Sequence, residues 1–249
     1  MPSASHSDLT SYLSDARQSR GAISLHKGRT REIQVVSKYC NENDAKELSQ
    51  IALRPPAGAT IFKYGSRSFV GGFLLKSGEK VALKYYFPKS TIKKLNYGLR
   101  GSRCEQSLLG SLGLLFLGIP TPAPLAMFEL KNGILNQQSF LATKTATGIP
   151  LHSFYRENKQ NPELMSKVYT ALKAAFDTMA EYRVSHGDLK ATNILVDSTG
   201  AINFIDLDAV TFLIPENKWQ TARQRDKKIF SDNWRKDQAA VEFFKDVIS

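Results

Sequence analysis

Apolar and polar positions first fall into a pattern at residues 59–64 (ATIFKY), a short apolar-rich segment that predicts a strand. Residues 68–75 predict a second strand after the turn Gly65-Ser66-Arg67, and KSGE at 76–79 reads as a hairpin turn into a third, 80–87 (KVALKYYF), which Pro88 ends. From about Ser102 the period becomes helical, with Glu105, Leu108, Leu109, Leu112 and Leu115 or Phe116 on one face, and Pro120, Pro122 and Pro124 forbid its continuation. Two strands follow near 125–129 and 139–145, joined through Lys131-Asn132-Gly133, and 147–150 reads as a connector. Pro162 then precedes a long helix from Glu163 to about Arg183, whose stripe Leu164, Val168, Leu172, Ala175, Met179 and Tyr182 fits one buried face. A loop and a hairpin of 194–196 and 201–205, turning at 197–200, complete the pattern. This order predicts an α+β fold of two lobes, with a sheet and one helix in 31–146 and a reduced second lobe with the loop and a basic tail in 147–249.

A chain of 249 residues can build two such lobes around a cleft. Its first thirty residues are polar and Ser-rich, without the basic start and apolar core of a secretory signal, and read as a flexible or peripheral extension. The longest apolar stretch, 108–119, is interrupted by Gly110 and Gly113 and is too short to span a bilayer. Cys40 and Cys104 form no ligand motif and read as free thiols of a reducing cytosol. Charge adds more. The net value is +11, and the excess is clustered: eight basic residues and one acid, Glu79, lie between Lys76 and Arg103, and seven basic residues and two acids, Asp226 and Asp232, between Lys218 and Lys236. Such clusters serve solubility and attraction of a nucleotide, or meet an anionic membrane surface, an anionic glycolipid or nucleic acid. Sign alone does not separate these.

The chemistry is concentrated in HGDLKATN at 186–193 and FIDLD at 204–208, which set Asp188, Lys190, Asn193 and Asp206 at offsets 0, 2, 5 and 18. Each residue alone has a plain reading as a turn former or a solvated cation. Together they stand at the spacings with which kinases supply a base, a phosphate contact and two metal ligands. Asp188 would orient the acceptor hydroxyl and take its proton, Lys190 would meet the transferring phosphate, and Asn193 and Asp206 offer the hard oxygens that Mg²⁺ prefers. Lys84, in an otherwise apolar strand, shares a face with Ala82 and Tyr86, and Glu105 follows it by twenty-one residues on the apolar face of the next helix. A Lys–Glu pair that holds nucleotide phosphates explains both charges. No GxGxxG covers those phosphates. The backbone of Gly65, Ser66 and Arg67 could do so, and a plain hairpin turn with a bulge at Gly71-Gly72 is the alternative. ATP and Mg²⁺ are the cofactors implied. His186 would organise the loop through hydrogen bonds. Gly187 stands where phosphorylation-controlled kinases carry Arg, and forty-three residues follow Asp206 without an APE-like segment, which speaks against a peptide acceptor.

HGDLKATN with FIDLD, VALKYY, and Glu105 leading into GIPTPAPLA resembles the lipopolysaccharide core kinases of Gram-negative bacteria, the Kdo/heptose kinases, over roughly 59–234. The basic tail WQTARQRDKKIFSDNW at 219–234 is similar to the segment after the metal-binding Asp in that family. The resemblance implies a protein-kinase-like fold with a reduced C-terminal lobe. It implies ATP-dependent phosphorylation of an inner-core sugar hydroxyl at the cytoplasmic face of the inner membrane, by a peripheral protein. Arg100, Arg103, Arg223 and Arg225 would then face an anionic glycolipid. Three alternatives stay open: a soluble small-molecule kinase, a RIO-like or tRNA-modification-associated atypical kinase, and a catalytically dead kinase fold used as a binding module.

Overall fold

A computed structural model describes residues 4–18, 23–27, 31–65, 68–87, 90, 101–132 and 135–248. The chain divides into two units, one of Thr10–Leu112 with Pro122–Thr145, the other of Met1–Leu9, Gly113–Thr121 and Ala146–Ser249. The first is built on a seven-stranded antiparallel sheet of β1 (Ile23–Lys27), β2 (Arg31–Val36), β3 (Thr60–Tyr64), β4 (Ser68–Leu74), β5 (Lys80–Tyr86), β6 (Pro124–Asn132) and β7 (Leu135–Lys144). Their spatial order is β1-β2-β6-β7-β5-β4-β3, so β5 is interior and β3 is an edge. Alternation along β5 sends Val81, Leu83 and Tyr85 into a core with Leu48 and Ala52 beside helix α2 (Glu42–Ile51). The opposite face, with Tyr86, Met127 and Leu141, packs on Cys104, Leu108, Leu109 and Leu112 of helix α3 (Arg103–Phe116). The Tyr85 hydroxyl donates to the Ile51 carbonyl at 2.7 Å and the Arg54 carbonyl at 3.1 Å, closing the end of α2.

Several expectations change. The described residues among the first thirty include helix α1 (His6–Arg17), with Leu9 and Ala16 buried, and strand β1, which pairs with β2. Neither α2 nor β2 had a legible pattern. Opposite Gly71-Gly72 the irregularity lies in β3, between Ile61 and Lys63, and not in β4. A Cβ on Gly71 would stand 2.9 Å from the Thr60 carbonyl oxygen and one on Gly72 2.7 Å from the Phe62 ring, so both glycines serve close approach. The connector region holds β8 (Ile149–Pro150), which joins β9 (Ile194–Val196) and β10 (Ile202–Phe204) in a small sheet.

The second unit is helical: α4 (Leu151–Asn158), α5 (Pro162–Glu181), α6 (Glu216–Asp232) and α7 (Gln238–Phe244). Asn161 caps α5 by accepting from the Leu164 amide at 3.1 Å, with Pro162 in the first turn, where its missing N–H costs nothing. Val168, Leu172, Ala175 and Met179 are buried as the stripe predicts, joined by Met165 and Phe176, while Leu164 is only half-buried. Phe176, Phe204, Phe230, Trp234 and Phe244 form an aromatic chain linking α5, β10, α6 and α7.

Candidate active site

The loop after α5 carries the predicted chemistry. Lys190 Nζ lies 2.8 Å from Asp188 Oδ1 and donates to Oδ2 at 3.0 Å. Asn193, in a single 3-10 turn of Ala191–Asn193, donates through its side-chain amide to the Asp188 carbonyl at 2.9 Å and to Asp188 Oδ2 at 3.2 Å. Both bonds engage the amide nitrogen and neither uses the Asn193 side-chain oxygen. The Asn193 carbonyl accepts from the Ile205 amide at 2.9 Å, and this one bond brings the residue before Asp206 beside Asn193. Asp206 itself has φ 62, in the left-handed region that few non-glycine residues occupy. Strain at that position is the kind that packing retains at functional sites. Asn193 and Asp206 would offer hard oxygens of the kind Mg²⁺ takes.

A residue not assigned from sequence holds this loop. Asp226, buried in the middle of α6, accepts from the Ser185 hydroxyl at 2.7 Å, the His186 amide at 2.8 Å and the Gly187 amide at 3.1 Å. Three donors on one carboxylate satisfy backbone groups that burial would otherwise orphan. The only sequence signal was an acid inside a basic run. Gly187 has φ 79, and a Cβ there would stand 2.5 Å from the Ala209 carbonyl oxygen, so an arginine could not occupy its place without moving that strand of the loop.

His186 is fully buried, and neither ring nitrogen has a hydrogen-bond partner of good geometry among the described residues. Its part in organising the loop is carried by its backbone amide, which donates to Asp226, with the Ile205 carbonyl beside its ring. Burial pushes its pKa below the ordinary value, with Asp226, Asp206, the nearby Ile205 carbonyl and Asp188 pulling the other way. Such a group is neutral when folded. Its contribution to stability is full above the ordinary histidine pKa of about 6.5 and is lost as pH falls from there through the lowered folded value. In metal-free buffer the unfolding temperature should drop between pH 7.5 and 5.5, and by less in His186→Asn. Equal slopes for the two proteins would show that another group dominates.

The sheet unit carries the second set. Lys84 pairs across β5 with Val70 and Leu141, and its ammonium lies 5.1 Å from the Tyr86 ring centroid. The Tyr86 hydroxyl is hydrogen-bonded to Ser107 at 2.9 Å, and the Arg103 guanidinium lies 5.5 Å from the same ring. Ser102 caps α3 by accepting from the Glu105 amide at 3.0 Å, which fixes Glu105 in the first turn. Cys104, beside Glu105 in α3, is fully buried, its thiol donating to the Phe140 carbonyl. Burial raises that thiol's pKa well above its usual range, Glu129 and Glu105 raise it further, and Lys84 lowers it. Glu105 also lies 3.9 Å from Arg17 of α1, a partner the sequence did not suggest. Both cysteines are free, and burial holds the Cys40 thiol up at about 11, so neither is a nucleophile at neutral pH. Gly65 donates its amide to the Ser68 carbonyl at 2.9 Å in the turn after β3; Ser66, Arg67 and Arg100 lie outside the described residues.

A long helix leading into an Asp-Lys-Asn loop, a hairpin followed by an Asp in the left-handed region, and an antiparallel sheet with a lysine on an interior strand are features of a kinase-like phosphotransferase. The family is shown by comparison with known proteins. The chain belongs to the lipopolysaccharide kinase (Kdo/WaaP) family, whose sequence model matches residues 77–232, more than half of its length. It is similar to 3-deoxy-D-manno-octulosonic acid kinase of Vibrio vulnificus strain YJ016, with 29% identity over 91 residues, 36% of this chain and 37% of that protein. The protein of the same name from strain CMCP6 is 28% identical over 91 residues, again 36% and 37% of the two chains. The chain thus spans little more than a third of the length of these relatives in alignment.

Proposed function

We propose that this protein transfers the γ-phosphate of ATP, with Mg²⁺, to a sugar hydroxyl of the lipopolysaccharide inner core, at the cytoplasmic face of the inner membrane. The observation that carries the reading is the Asp188–Lys190–Asn193 cluster, held to α6 by Asp226, in a chain of this family. Asp188, a third exposed, accepts the proton of the acceptor hydroxyl as its oxygen bonds to phosphorus and ADP leaves. Lys190, already 2.8 Å from that carboxylate, offsets charge on the transferring group. Asn193 and Asp206 would hold the metal, which neutralises phosphate charge when bound. Lys84, kept upright beside Tyr86, positions the nucleotide. The basic face of α6, with Lys218, Arg225 and Lys228 exposed, suits an acceptor bearing carboxylates and phosphates in an anionic bilayer.

The test is transfer of labelled γ-phosphate to Kdo-lipid A and core lipopolysaccharide, with a basic peptide substrate and tRNA in parallel. Label on the glycolipid supports the reading, and label only on protein or only with tRNA moves the chain to the atypical kinases. Lys84→Ala should raise the KM for ATP and lower kcat/KM by roughly 10²-fold, about 2.7 kcal/mol of lost transition-state stabilisation. Unchanged kinetics for ATP would remove Lys84 from the site.

A further inference from the structure

Of the six large apolar side chains exposed among the described residues, four lie on one edge of the sheet: Ile61, Phe62 and Tyr64 on β3 and Leu74 at the end of β4. Their exposures, 61%, 60%, 78% and 57%, are far beyond what strand packing leaves open, and all five residues of β3 are exposed. The edge is apolar on both faces. Ile61 is paired with Gly71 and through it with Leu83, whose side chain lies on the α2 side. The Phe62 ring lies over Gly72, which is paired with Ala82, on the face of the sheet that carries Lys84. Basic residues predominate at this edge. Residues 48–78 contain no carboxylate, while Arg54, Lys63 and Lys76 lie in that stretch and Lys80 is paired with Leu74. The two flanking acids are both engaged, Glu47 by the Lys76 backbone amide at 3.0 Å and Glu79 by Lys144 at 2.9 Å.

We infer that the β3 edge is a membrane-docking surface that seats the protein on an anionic lipid headgroup layer. This deepens the reading of a glycolipid kinase and rests on it for the identity of the membrane, though not for the surface itself. A strand from a second copy would pair with the β3 backbone and leave the side chains of both faces in water. A groove on a protein partner would cover one face. A lipid interface covers both at once, and there phenyl and phenol rings settle at headgroup level while lysines reach phosphates. The hydrated headgroup layer also satisfies the free backbone groups of an edge strand, which the hydrocarbon core could not.

The experiment uses the full chain and vesicles of phosphatidylglycerol with phosphatidylethanolamine, beside vesicles of phosphatidylcholine alone. The protein should sediment with the anionic vesicles and little with the neutral ones. Ile61→Ser/Leu74→Ser, at two exposed positions, should keep the thermal midpoint and weaken vesicle binding about tenfold or more. A second probe is Ile61→Cys carrying an environment-sensitive dye, selective because Cys40 and Cys104 are buried; its emission should shift to the blue on anionic vesicles only. Undiminished binding of the double variant, absence of binding by the parent protein, or a dye that does not shift overturns the assignment. So does a dimer in sedimentation equilibrium that the double variant dissolves, since the edge would then join two copies. Vesicle binding reads the edge alone, and phosphate transfer to a deacylated, water-soluble core acceptor reads the active site alone. Loss of one without the other tells which reading has failed.

Discussion

Asp188→Ala is expected to lower phosphate transfer by about 10²–10⁴-fold while ATP affinity stays within roughly threefold, because the loss falls on proton transfer in the transition state. The structure indicates why binding survives. The Asn193 amide keeps its bond to the backbone carbonyl of residue 188, and Asp226 continues to hold the preceding three residues, so the loop keeps its shape. Lys190 loses its carboxylate partner, which adds to the loss in turnover. Asp188→Asn, which preserves size, should be nearly as impaired, since an amide cannot take the proton. Steady-state kinetics alongside equilibrium nucleotide titration separates the two effects. Near-normal turnover in either variant would mean that Asp188 is not the base.

Asp226→Ala should be the most destabilising single change at this site. Two backbone N–H groups and a hydroxyl would lose their acceptor, in a place where water has little access. Each orphaned donor costs about 1–3 kcal/mol, so the three together cost at least about 3 kcal/mol, which for a chain of this size lowers Tm by roughly 6–12 °C or more. Asp226→Asn keeps the volume but offers one acceptor oxygen to three donors and turns its own N–H₂ toward the others. It should fold and still lose activity well below its Tm, with kcat falling more than the KM for ATP rises. Ser185→Ala removes one of the three bonds and sets the scale of the smallest effect. An Asp226→Asn protein with normal kcat at low temperature would reduce Asp226 to a structural role.

How much was legible depended on how local each feature is. The turn at 76–79, the helix carrying Glu105 and the long helix α5 all announced themselves, because a cap, a proline or a stripe sits within a few residues of the element it sets. Helix α2 did not. Its sequence ENDAKELSQI buries only Asp44 and Leu48, too thin a stripe for periodicity to register, although Asn41, which accepts from the Asp44 amide at 2.9 Å, was a readable cap. The leading segment looked solvated because α1 is mostly polar, and its order comes from a few anchors such as Leu9, Ala16 and the bond from the Tyr182 hydroxyl to the Ala4 carbonyl.

By itself, the sequence determined the chemistry of the loop. Asp188, Lys190, Asn193 and Asp206 lie within nineteen residues, and a tight turn and a short hairpin bring such neighbours together whatever surrounds them. Only the tertiary structure decided what holds and surrounds that loop: Asp226 bonds to an amide forty residues away, and Cys104 lies where Lys84, Glu105 and Glu129 all reach it. It also decided that β3, whose apolar residues predict a strand, stands exposed at an edge. Spacing along the chain records which groups are near in sequence; burial and long-range hydrogen bonds arise from packing, which no single segment carries.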